Sequence, residues 1–392
     1  MMNRGTEFLP FALPSIGQEE EEAVLRVLRS GWLTTGKETR AFEQEFASRV
    51  DSPWALAINS ATAGLHLSLE ALGIGPGDTV VTSPYTFTAT AEVVRYLGAE
   101  LLFSDITPGG FNIDPQTLRE TLRRAEKDGH RLKALIPVHI AGEPCRMKEL
   151  QDIAGKFNLA IVEDAAHAFP VRSDDGRWTG TSGRTGVYSF YATKTITTGE
   201  GGMVVTDDEK IAARIRTMRL HGIDRSIWDR YTSNKAQWAY SVVEAGYKYN
   251  LTDLAAALGR VQLKKAASFL ERRKEIAAAY TEAFQNLPEL DIPRTSGDHA
   301  WHLYILKVSR DSGISRDNLI ETLRQRGIGT SVHYIPLHLM PYYRDRYSFS
   351  PGDFPNAMDT YSRCLSLPIY PKMDESQVDR VIQAVKNACK AE

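Results

Sequence analysis

A lysine in a glycine-rich loop is the residue of this sequence best suited to covalent chemistry. Lys194 follows an apolar run in VYSFYATKTITTGEGGMVV, and Gly199, Gly201 and Gly202 come soon after it. A surface lysine needs no such surroundings, whereas a lysine that forms a Schiff base must lie at the bottom of a cleft, where a bound ring meets flexible backbone. Taken alone, such a lysine is more often an ordinary surface residue, so the hypothesis depends on partners elsewhere in the chain.

A carboxylate at the end of a buried strand is the first such partner. Asp164 ends the apolar run LAIVED, and an acid at the carboxyl end of a strand in an α/β sheet points into the crevice where such proteins bind ligands. There it would keep a pyridine nitrogen protonated, which pyridoxal phosphate requires to act as an electron sink. The competing interpretation, a helix cap for the following AAHAF, is favoured when Asp164 is considered alone. Glu163 alternates to the other face and is interpreted as structural.

A small polar turn supplies the groups that a phosphate needs. The segment NSATAGLHLSLEAL opens a predicted helix directly after the strand WALAI, and the first backbone N–H groups of a helix bind anions. Ala61 and Thr62 would provide these amides, and Ser189, which shares the strand-to-loop segment of Lys194, would add a hydroxyl. Ser-Ala-Thr is also a sound helix cap without any ligand. Together, the lysine, the carboxylate and the phosphate turn predict a site for pyridoxal 5'-phosphate.

Composition excludes several other classes of function. The 392 residues carry a net charge of −2, with 42% hydrophobic and 24% charged residues, as is typical of a soluble globular protein with a large core. The basic residues are scattered, so we do not expect a nucleic-acid partner. Three distant cysteines predict no metal site and no disulfide framework, and the absence of a long apolar run predicts no membrane span. We therefore expect a cytoplasmic protein.

Two domains are expected from the pattern of apolar runs. From residue 54 to about 206, Val- and Ile-rich runs without polar alternation alternate with amphipathic stretches, as is typical of a mostly parallel sheet flanked by helices. A long helical pattern begins near Leu251, and the remainder contains a strand at HLYILKV, a helix begun by Ser315 and stopped by Gly327, and a final helix. We predict an α/β fold with a large domain over residues 1–255 and a smaller C-terminal α+β domain over residues 256–392.

The order of several motifs resembles that of a known family. SATAGLH, TFTAT, PVHIAGEP, VEDAAHA, SFYATKTITTGEGG and GYKYNLTDLAAALGRVQL are similar to successive motifs of the DegT/DnrJ/EryC1/StrS sugar aminotransferases, and the resemblance covers nearly the whole chain. It implies fold type I of the pyridoxal-phosphate-dependent aminotransferases. Within the family, EDAAHA and GYKYNLTD are most similar to the enzymes that make UDP-4-amino-4-deoxy-L-arabinose for lipid A modification. Phe87 and the segment SVHYIPLHLMPYY depart from that subgroup.

The resemblance also implies a role for each matching residue. Lys194 would be the Schiff-base lysine and proton shuttle, and Asp164 would pair with the pyridine nitrogen. His167 would lie beside the phenolic oxygen of the ring, and Phe87 would stack on the ring face. The phosphate would be held by Ala61, Thr62 and Ser189. Candidates for the sugar or nucleotide channel are Trp32, His333 and His338, each of which is as easily explained by packing.

A motif from a neighbouring subunit would complete the phosphate site in this family. The motif commonly reads GYNYR, but here it reads GYKYN. Lys248 thus stands where the common motif has Asn, and Asn250 stands where it has Arg. Because neither site would then be complete in a monomer, we expect a homodimer with the active site at the subunit interface. Three aromatic residues ahead of the motif are candidates for a subunit contact: Tyr231, Trp238 and Tyr240.

The resemblance implies transamination of a nucleotide-linked keto sugar, most often ketonic at C4, with an amino acid donor expected to be L-glutamate. Lys194 would move the proton in each half-reaction. Related dehydratases carry a histidine in place of this lysine, so Lys194 favours transamination. Two alternatives stay open: an enzyme of the same fold that acts on a ketonic cyclitol or an unlinked sugar, and a cofactor-binding regulatory protein without catalysis.

Overall fold

The computed structural model describes residues 8–224, 240–293 and 297–390. Tyr231 and Trp238, two of the three aromatic residues considered for a subunit contact, lie outside these ranges. Within them, no helix combines the length and the apolar character that crossing a membrane requires.

A seven-stranded sheet forms the centre of the large domain. Its strands are β1 (Trp54–Ile58), β2 (Asp78–Thr82), β3 (Glu100–Phe103), β4 (Arg131–Ile136), β5 (Ala160–Asp164), β6 (Thr185–Ser189) and β7 (Gly202–Thr206). They lie in the order β1-β7-β6-β5-β4-β2-β3, and β7 runs antiparallel to both of its neighbours while the other pairs are parallel. The predicted mostly parallel sheet is therefore confirmed.

Helices cover both faces of this sheet, which explains why its strands lack polar alternation. The helices are α1 (Gln18–Ser30), α2 (Lys37–Arg49), α3 (Ala61–Ala71), α4 (Thr88–Tyr96), α5 (Pro115–Lys127), α6 (Met147–Lys156) and α7 (Glu209–Met218). One apolar core contains residues of α3, α4 and α7, and a second, on the other face, contains residues of α5 and α6. All five residues of β2 and all five of β7 are buried.

A three-stranded antiparallel sheet organises the C-terminal domain. Its strands β8 (Leu290–Asp291), β9 (Tyr304–Val308) and β10 (Cys364–Leu367) lie in the order β10-β9-β8. The helices that cover this sheet are Arg316–Gln325, Pro355–Arg363 and Glu375–Cys389. A short helix at Pro341–Tyr347 packs instead beside β3, where the rings of Tyr343 and Phe103 lie 6.0 Å apart. The Ser315 hydroxyl accepts a hydrogen bond from the Asn318 N–H at 3.1 Å, and Gly327 has φ +70°, so the predicted start and stop of the helix Arg316–Gln325 are confirmed.

One helix of 32 residues, α8 (Asp253–Phe284), runs through both domains. Its N-terminal part shares a core with strands of the large sheet through Leu263 and Phe269, and its C-terminal part enters the core of the C-terminal domain through Tyr280 and Phe284. The domain boundary predicted at residue 255 thus falls inside the first turn of a continuous helix.

The N-terminal segment joins the C-terminal domain rather than the large sheet. The Leu9 N–H donates to the Gly327 carbonyl at 2.8 Å, and the Gly329 N–H donates to the Leu9 carbonyl at 2.8 Å. A side chain at Gly329 would meet the backbone of this segment at 2.8 Å, so glycine is needed there. The prediction had assigned this segment to the large domain, but Leu9 is buried in the core of the smaller one.

Candidate active site

A cavity of about 480 Å³ lies where the carboxyl ends of the parallel strands face the C-terminal domain. This is the position at which open α/β sheets bind ligands. The predicted site residues that line it are Ala61, Thr62, Phe87, Asp164, His167, Ser189, Lys194 and His333. The structure therefore brings together residues that are separated by more than 270 positions in the sequence.

Close packing places the first turn of α3 at this cavity. A Cβ atom at Gly64 would lie 2.4 Å from the Ile58 side chain, and one at Gly202 would lie 2.9 Å from the Ala61 nitrogen. Both glycines thus allow the helix start to approach the strands. The Ser60 hydroxyl accepts the Ala63 N–H at 3.1 Å, while the amides at the start of the turn have no partner within the helix. Those of Ala61 and Thr62 are suited to an anion in the cavity.

Asp164 is a buried carboxylate with two neutral hydrogen-bond donors. It is 5% exposed at the end of β5, and it accepts the Thr90 hydroxyl at 2.8 Å and the Ala166 N–H at 3.1 Å. Burial raises its pKa, while these two donors and the Lys194 charge act in the opposite direction. No helix follows within residues 165–168. The alternative interpretation of Asp164 as a helix cap is therefore wrong.

Lys194 lies in a tight loop between β6 and β7. Its N–H donates to the Tyr191 carbonyl at 3.0 Å, and the Thr198 N–H reaches back to the Phe190 carbonyl at 2.9 Å. Burial lowers the pKa of Lys194 to about 8, although the nearby Asp164 charge acts to raise it. A larger fraction of this amine than of an ordinary lysine is thus neutral near pH 7, and the neutral form is the one that a nucleophilic lysine uses.

Three histidines form one wall of the cavity. His167 and His302 are 6% exposed, with ring centroids 4.3 Å apart, and burial lowers the pKa of both well below the usual value. The His333 ring nitrogen Nδ1 lies 2.9 Å from the Ser366 hydroxyl, and burial lowers its pKa to about 4. All three rings are therefore neutral at pH 7, so Lys194 faces no permanent cation on this wall.

The lining residues that the sequence analysis missed include Phe11, Ala12, His302 and Tyr334. Phe11 and Ala12 reach the cavity because the N-terminal segment pairs beside residue 328. The Tyr334 hydroxyl lies 3.0 Å from Nε2 of His167. No local pattern in the sequence distinguishes these residues from ordinary packing residues, because long-range pairing alone brings them here.

Glu163 points away from the cavity and anchors the loop before β6. Its carboxylate accepts backbone N–H groups from Gly180 at 2.8 Å, Ser182 at 2.6 Å and Gly183 at 2.7 Å. It is fully buried and also lies 3.0 Å from the His139 ring. The structural interpretation of this residue is confirmed.

Trp32, Lys248 and Asn250 do not line the cavity of their own chain. Trp32 and Asn250 both bond to Thr35 at a second location, which we call the Thr35 junction and define by Trp32, Thr35, Asn250, Asp253 and the preceding Lys248, whose carbonyl accepts the Asn59 amide at 3.3 Å. The Asn250 amide donates to the Thr35 hydroxyl at 2.7 Å, and the Trp32 indole donates to the Thr35 carbonyl at 3.3 Å. The Asp253 carboxylate caps α2 by accepting the Gly36 N–H at 2.7 Å. A phosphate contact from a neighbouring subunit stays a prediction.

His338 is likewise separate from the cavity. It is fully buried in a short helical turn, and its ring packs 4.9 Å from that of Phe354. The structure therefore supports a packing role for His338 in place of the predicted position in the substrate channel. His333, five residues earlier, does line the cavity.

The cavity fits the chemical parts of pyridoxal phosphate. The first turn of α3 and Ser189 offer donors for a phosphate, the buried Asp164 carboxylate offers an acceptor for a ring N–H, and Lys194 offers an amine of lowered pKa. Phe87, whose side chain is 57% exposed at the cavity, offers an aromatic face for a planar ring. In the described ranges, no group of three or more His, Cys, Asp or Glu residues could hold a metal ion.

Comparison with known proteins identifies a common family. The model of the DegT/DnrJ/EryC1/StrS aminotransferase family matches residues 14–386. The spore coat polysaccharide biosynthesis protein SpsC of Bacillus subtilis is 45% identical over 394 aligned residues, which cover 100% of this chain and 99% of SpsC.

Solved structures agree with this result. The pyridoxal-phosphate form of the putative sugar aminotransferase Spr1654 from Streptococcus pneumoniae superposes with a TM-score of 0.88 at 30% identity, covering 98% of this chain and 99% of that one. PseC of Helicobacter pylori, an aminotransferase involved in the biosynthesis of pseudoaminic acid, gives a TM-score of 0.88 at 28% identity, covering 99% of this chain and 100% of PseC.

Proposed function

The chain belongs to the DegT/DnrJ/EryC1/StrS aminotransferase family, and from this premise we propose that it aminates a nucleotide-linked keto sugar at C4 with L-glutamate as donor. The coarser activity, pyridoxal-phosphate-dependent transamination of a keto sugar, is that of the family. The observation that carries the assignment is the convergence of Lys194, Asp164 and the first turn of α3 on one cavity.

Pyridoxal phosphate supplies an electron sink for the carbon that gains or loses the amino group. Asp164 would hold a proton at the ring nitrogen, and burial makes that charge pair stronger than it would be in water. The Lys194 amine, with a pKa of about 8, would take a proton from the reacting carbon of the substrate and return one in the reverse direction. The two residues thus divide charge stabilisation and proton transfer between them.

The printed descriptions of the relatives support a product for a surface polysaccharide. SpsC belongs to spore coat polysaccharide biosynthesis and PseC to the biosynthesis of pseudoaminic acid. Neither description names the arabinose activity of lipid A modification, so the subgroup predicted from the sequence is not supported. We therefore propose an amino sugar nucleotide destined for a surface polysaccharide as the product.

We further propose a homodimer in which the Thr35 junction of one subunit faces the cavity of the other. Lys248 and Asn250 would then contribute to the phosphate site, as the GYKYN motif implies. Within its own chain, Asn250 donates a hydrogen bond to Thr35, and neither Lys248 nor Asn250 lines the cavity. A contact made in trans requires this arrangement.

The decisive experiment follows the visible absorption of the purified protein with added pyridoxal phosphate, before and after L-glutamate. We expect a band that depends on the cofactor and changes on addition of the donor. UDP-, dTDP- and GDP-linked 4-keto sugars, an unlinked keto sugar and a keto cyclitol are then added separately, and we expect reversal of the change with a nucleotide-linked sugar.

Each other outcome has a defined meaning. Reversal by the cyclitol or the unlinked sugar alone would assign the same chemistry to another acceptor. A bound chromophore that no amino acid changes would support a non-catalytic binding protein. The absence of any band would contradict the assignment of the cofactor.

A further inference from the structure

The hydrogen bonds of His167 determine which atom of this wall can donate into the cavity. Its Nδ1 lies 3.3 Å from the backbone nitrogen of Ala141, and its Nε2 lies 3.0 Å from the Tyr334 hydroxyl. A backbone N–H can only donate, so Nδ1 must accept and carries no proton. Because burial and the Lys194 charge lower the pKa of His167 well below its usual value, the neutral ring has its single proton on Nε2.

This tautomer assigns the direction of the next hydrogen bond. The Nε2–H of His167 donates to the Tyr334 oxygen, so the proton of the Tyr334 hydroxyl is left to point elsewhere. Within the described part of the chain, the Tyr334 hydroxyl has no second hydrogen-bond partner, and its residue lines the cavity. Burial and the Asp164 charge raise the pKa of Tyr334, so the hydroxyl keeps its proton at neutral pH.

The environment of His167 disfavours any other arrangement. His302 contacts its ring, and Nδ1 of His302 is a buried nitrogen without a hydrogen-bond partner among the described residues. A proton added to His167 would place a cation against that ring, against Lys194 and near His333, and it would also oppose the Ala141 N–H. The hydrogen bonds of this wall therefore have one direction, in which the Ala141 N–H donates to His167 and His167 donates to Tyr334.

We propose that Tyr334 is the hydrogen-bond donor of this wall to an oxygen atom in the cavity, and that His167 is a positioning residue that aims it. The inference rests on the proposed function only in the identity of the acceptor, which is either the phenolic oxygen of the cofactor or an oxygen of the substrate. It changes the role that the family resemblance implies for His167, because the proton of Nε2 is already used on Tyr334.

The test is a pH titration of the visible band of the protein with bound pyridoxal phosphate and no substrate. Tyr334→Phe removes the donor and keeps the ring, and Tyr343→Phe removes a buried hydroxyl that bonds to Thr88 outside the cavity, as the matched control. A donor to the phenolic oxygen would stabilise the negative charge on that oxygen. This stabilisation matters most when the nitrogen of Lys194 carries no proton and so cannot offset the charge. We therefore expect the pH midpoint to rise by about one unit in Tyr334→Phe and to be unchanged in Tyr343→Phe.

An acceptor oxygen on the substrate, in place of the cofactor, would give a different result. If Tyr334 donates to the substrate, the midpoint stays constant, the reaction with the amino donor or the keto sugar shows a KM about tenfold higher, and kcat changes less. Either result supports the donor role. A Tyr334→Phe protein that matches Tyr343→Phe in both the midpoint and KM would overturn it.

The positioning role of His167 is tested with His167→Gln, His167→Leu and the same changes combined with Tyr334→Phe. A Gln amide can accept the Ala141 N–H and donate to Tyr334, so we expect it to retain the wild-type midpoint, while Leu loses it. If His167 acts through Tyr334, Leu adds no further shift in the Tyr334→Phe background. Additive shifts would show that His167 itself contacts the acceptor.

Failure of this inference is distinct from failure of the proposed function. The visible band and its response to L-glutamate report the proposed function and require Lys194, whereas the proposal for Tyr334 concerns only the midpoint or KM of a protein that already shows them. Should His167→Leu fail to fold, His167→Gln and Tyr334→Phe still decide the question.

Discussion

The cavity and the Thr35 junction hold predicted site residues in opposite ways. In the cavity, Asp164 and Lys194 are polar groups whose burial shifts their pKa values, and they face open space. At the junction, Asn250 and Asp253 form hydrogen bonds with neighbouring segments of the same chain. One region thus presents polar groups to a cavity, while the other uses its polar groups to hold segments of the same chain together.

Replacement of Lys194 by Ala should give the largest effect. It removes both the amine that binds the cofactor and the group that moves the proton, so we expect transamination to fall by at least about 10³-fold. Steady-state rates with the best keto sugar measure this, and the surface variant Lys210→Ala serves as control. A folded Lys194→Ala protein that retains more than a tenth of the rate would contradict the assignment of the chemistry to the cavity rather than to the junction.

Asp164→Asn should give the next largest effect. It keeps the shape of the side chain and one of its two acceptor oxygens but loses the charge opposite the ring nitrogen, so we expect kcat to fall about 10- to 100-fold. Single-turnover rates with L-glutamate separate this from changes in cofactor binding. An unchanged rate would mean that the carboxylate does not pair with the ring.

Mutation of the junction should weaken cofactor binding and leave each cavity otherwise intact. For Lys248→Ala combined with Asn250→Ala we expect an affinity for pyridoxal phosphate about tenfold lower, measured by equilibrium titration of the visible band. Lys264→Ala, on the surface of α8, is the control for loss of charge.

Mixing this junction variant with Lys194→Ala tests whether the contact is made in trans. A heterodimer would contain one fully native site. At a cofactor concentration that leaves the sites of the junction variant empty, unfolding and refolding an equimolar mixture should therefore restore about a quarter of the wild-type activity. No restoration, with heterodimers shown to form, would contradict the proposed assignment of the junction to the neighbouring cavity.

Thr90→Val should give the smallest effect and one that depends on pH. The Thr90 hydroxyl donates to Asp164 and lowers the pKa of that carboxyl against the effect of burial. Its loss raises the pKa, so the acidic limb of the pH profile should move to higher pH, with a rate about fivefold lower on that limb and recovery as pH rises. Thr82→Val, which removes a buried hydroxyl bonded to the Ile136 carbonyl, should leave the profile unchanged.

Local patterns were sufficient to predict the cavity because its polar groups follow buried strands. Asp164 ends an apolar run that became β5, and Ser189 ends β6, so the sheet geometry alone brings them to one edge. The turn at Ala61 was equally visible because it joins a strand directly to a helix.

The remaining features depend on contacts between distant segments, which no local pattern encodes. Phe11 reaches the cavity only because its segment pairs with residue 328. His338 packs against Phe354, although the sequence made it a candidate for the substrate channel. The donor role of Tyr334 depends on the tautomer of His167, and hence on a backbone N–H at Ala141. Such relationships exist only once the chain has folded.

The continuous helix α8 also restricts how the length of this chain can change in evolution. An α-helix advances about 1.5 Å and turns about 100° with each residue. A single insertion between Phe269 and Tyr280 would therefore rotate every later contact of the helix out of phase with the C-terminal core while leaving the large sheet unaltered. We expect homologues to vary in length in the surface loop at residues 309–314 and to keep the number of residues in α8 constant.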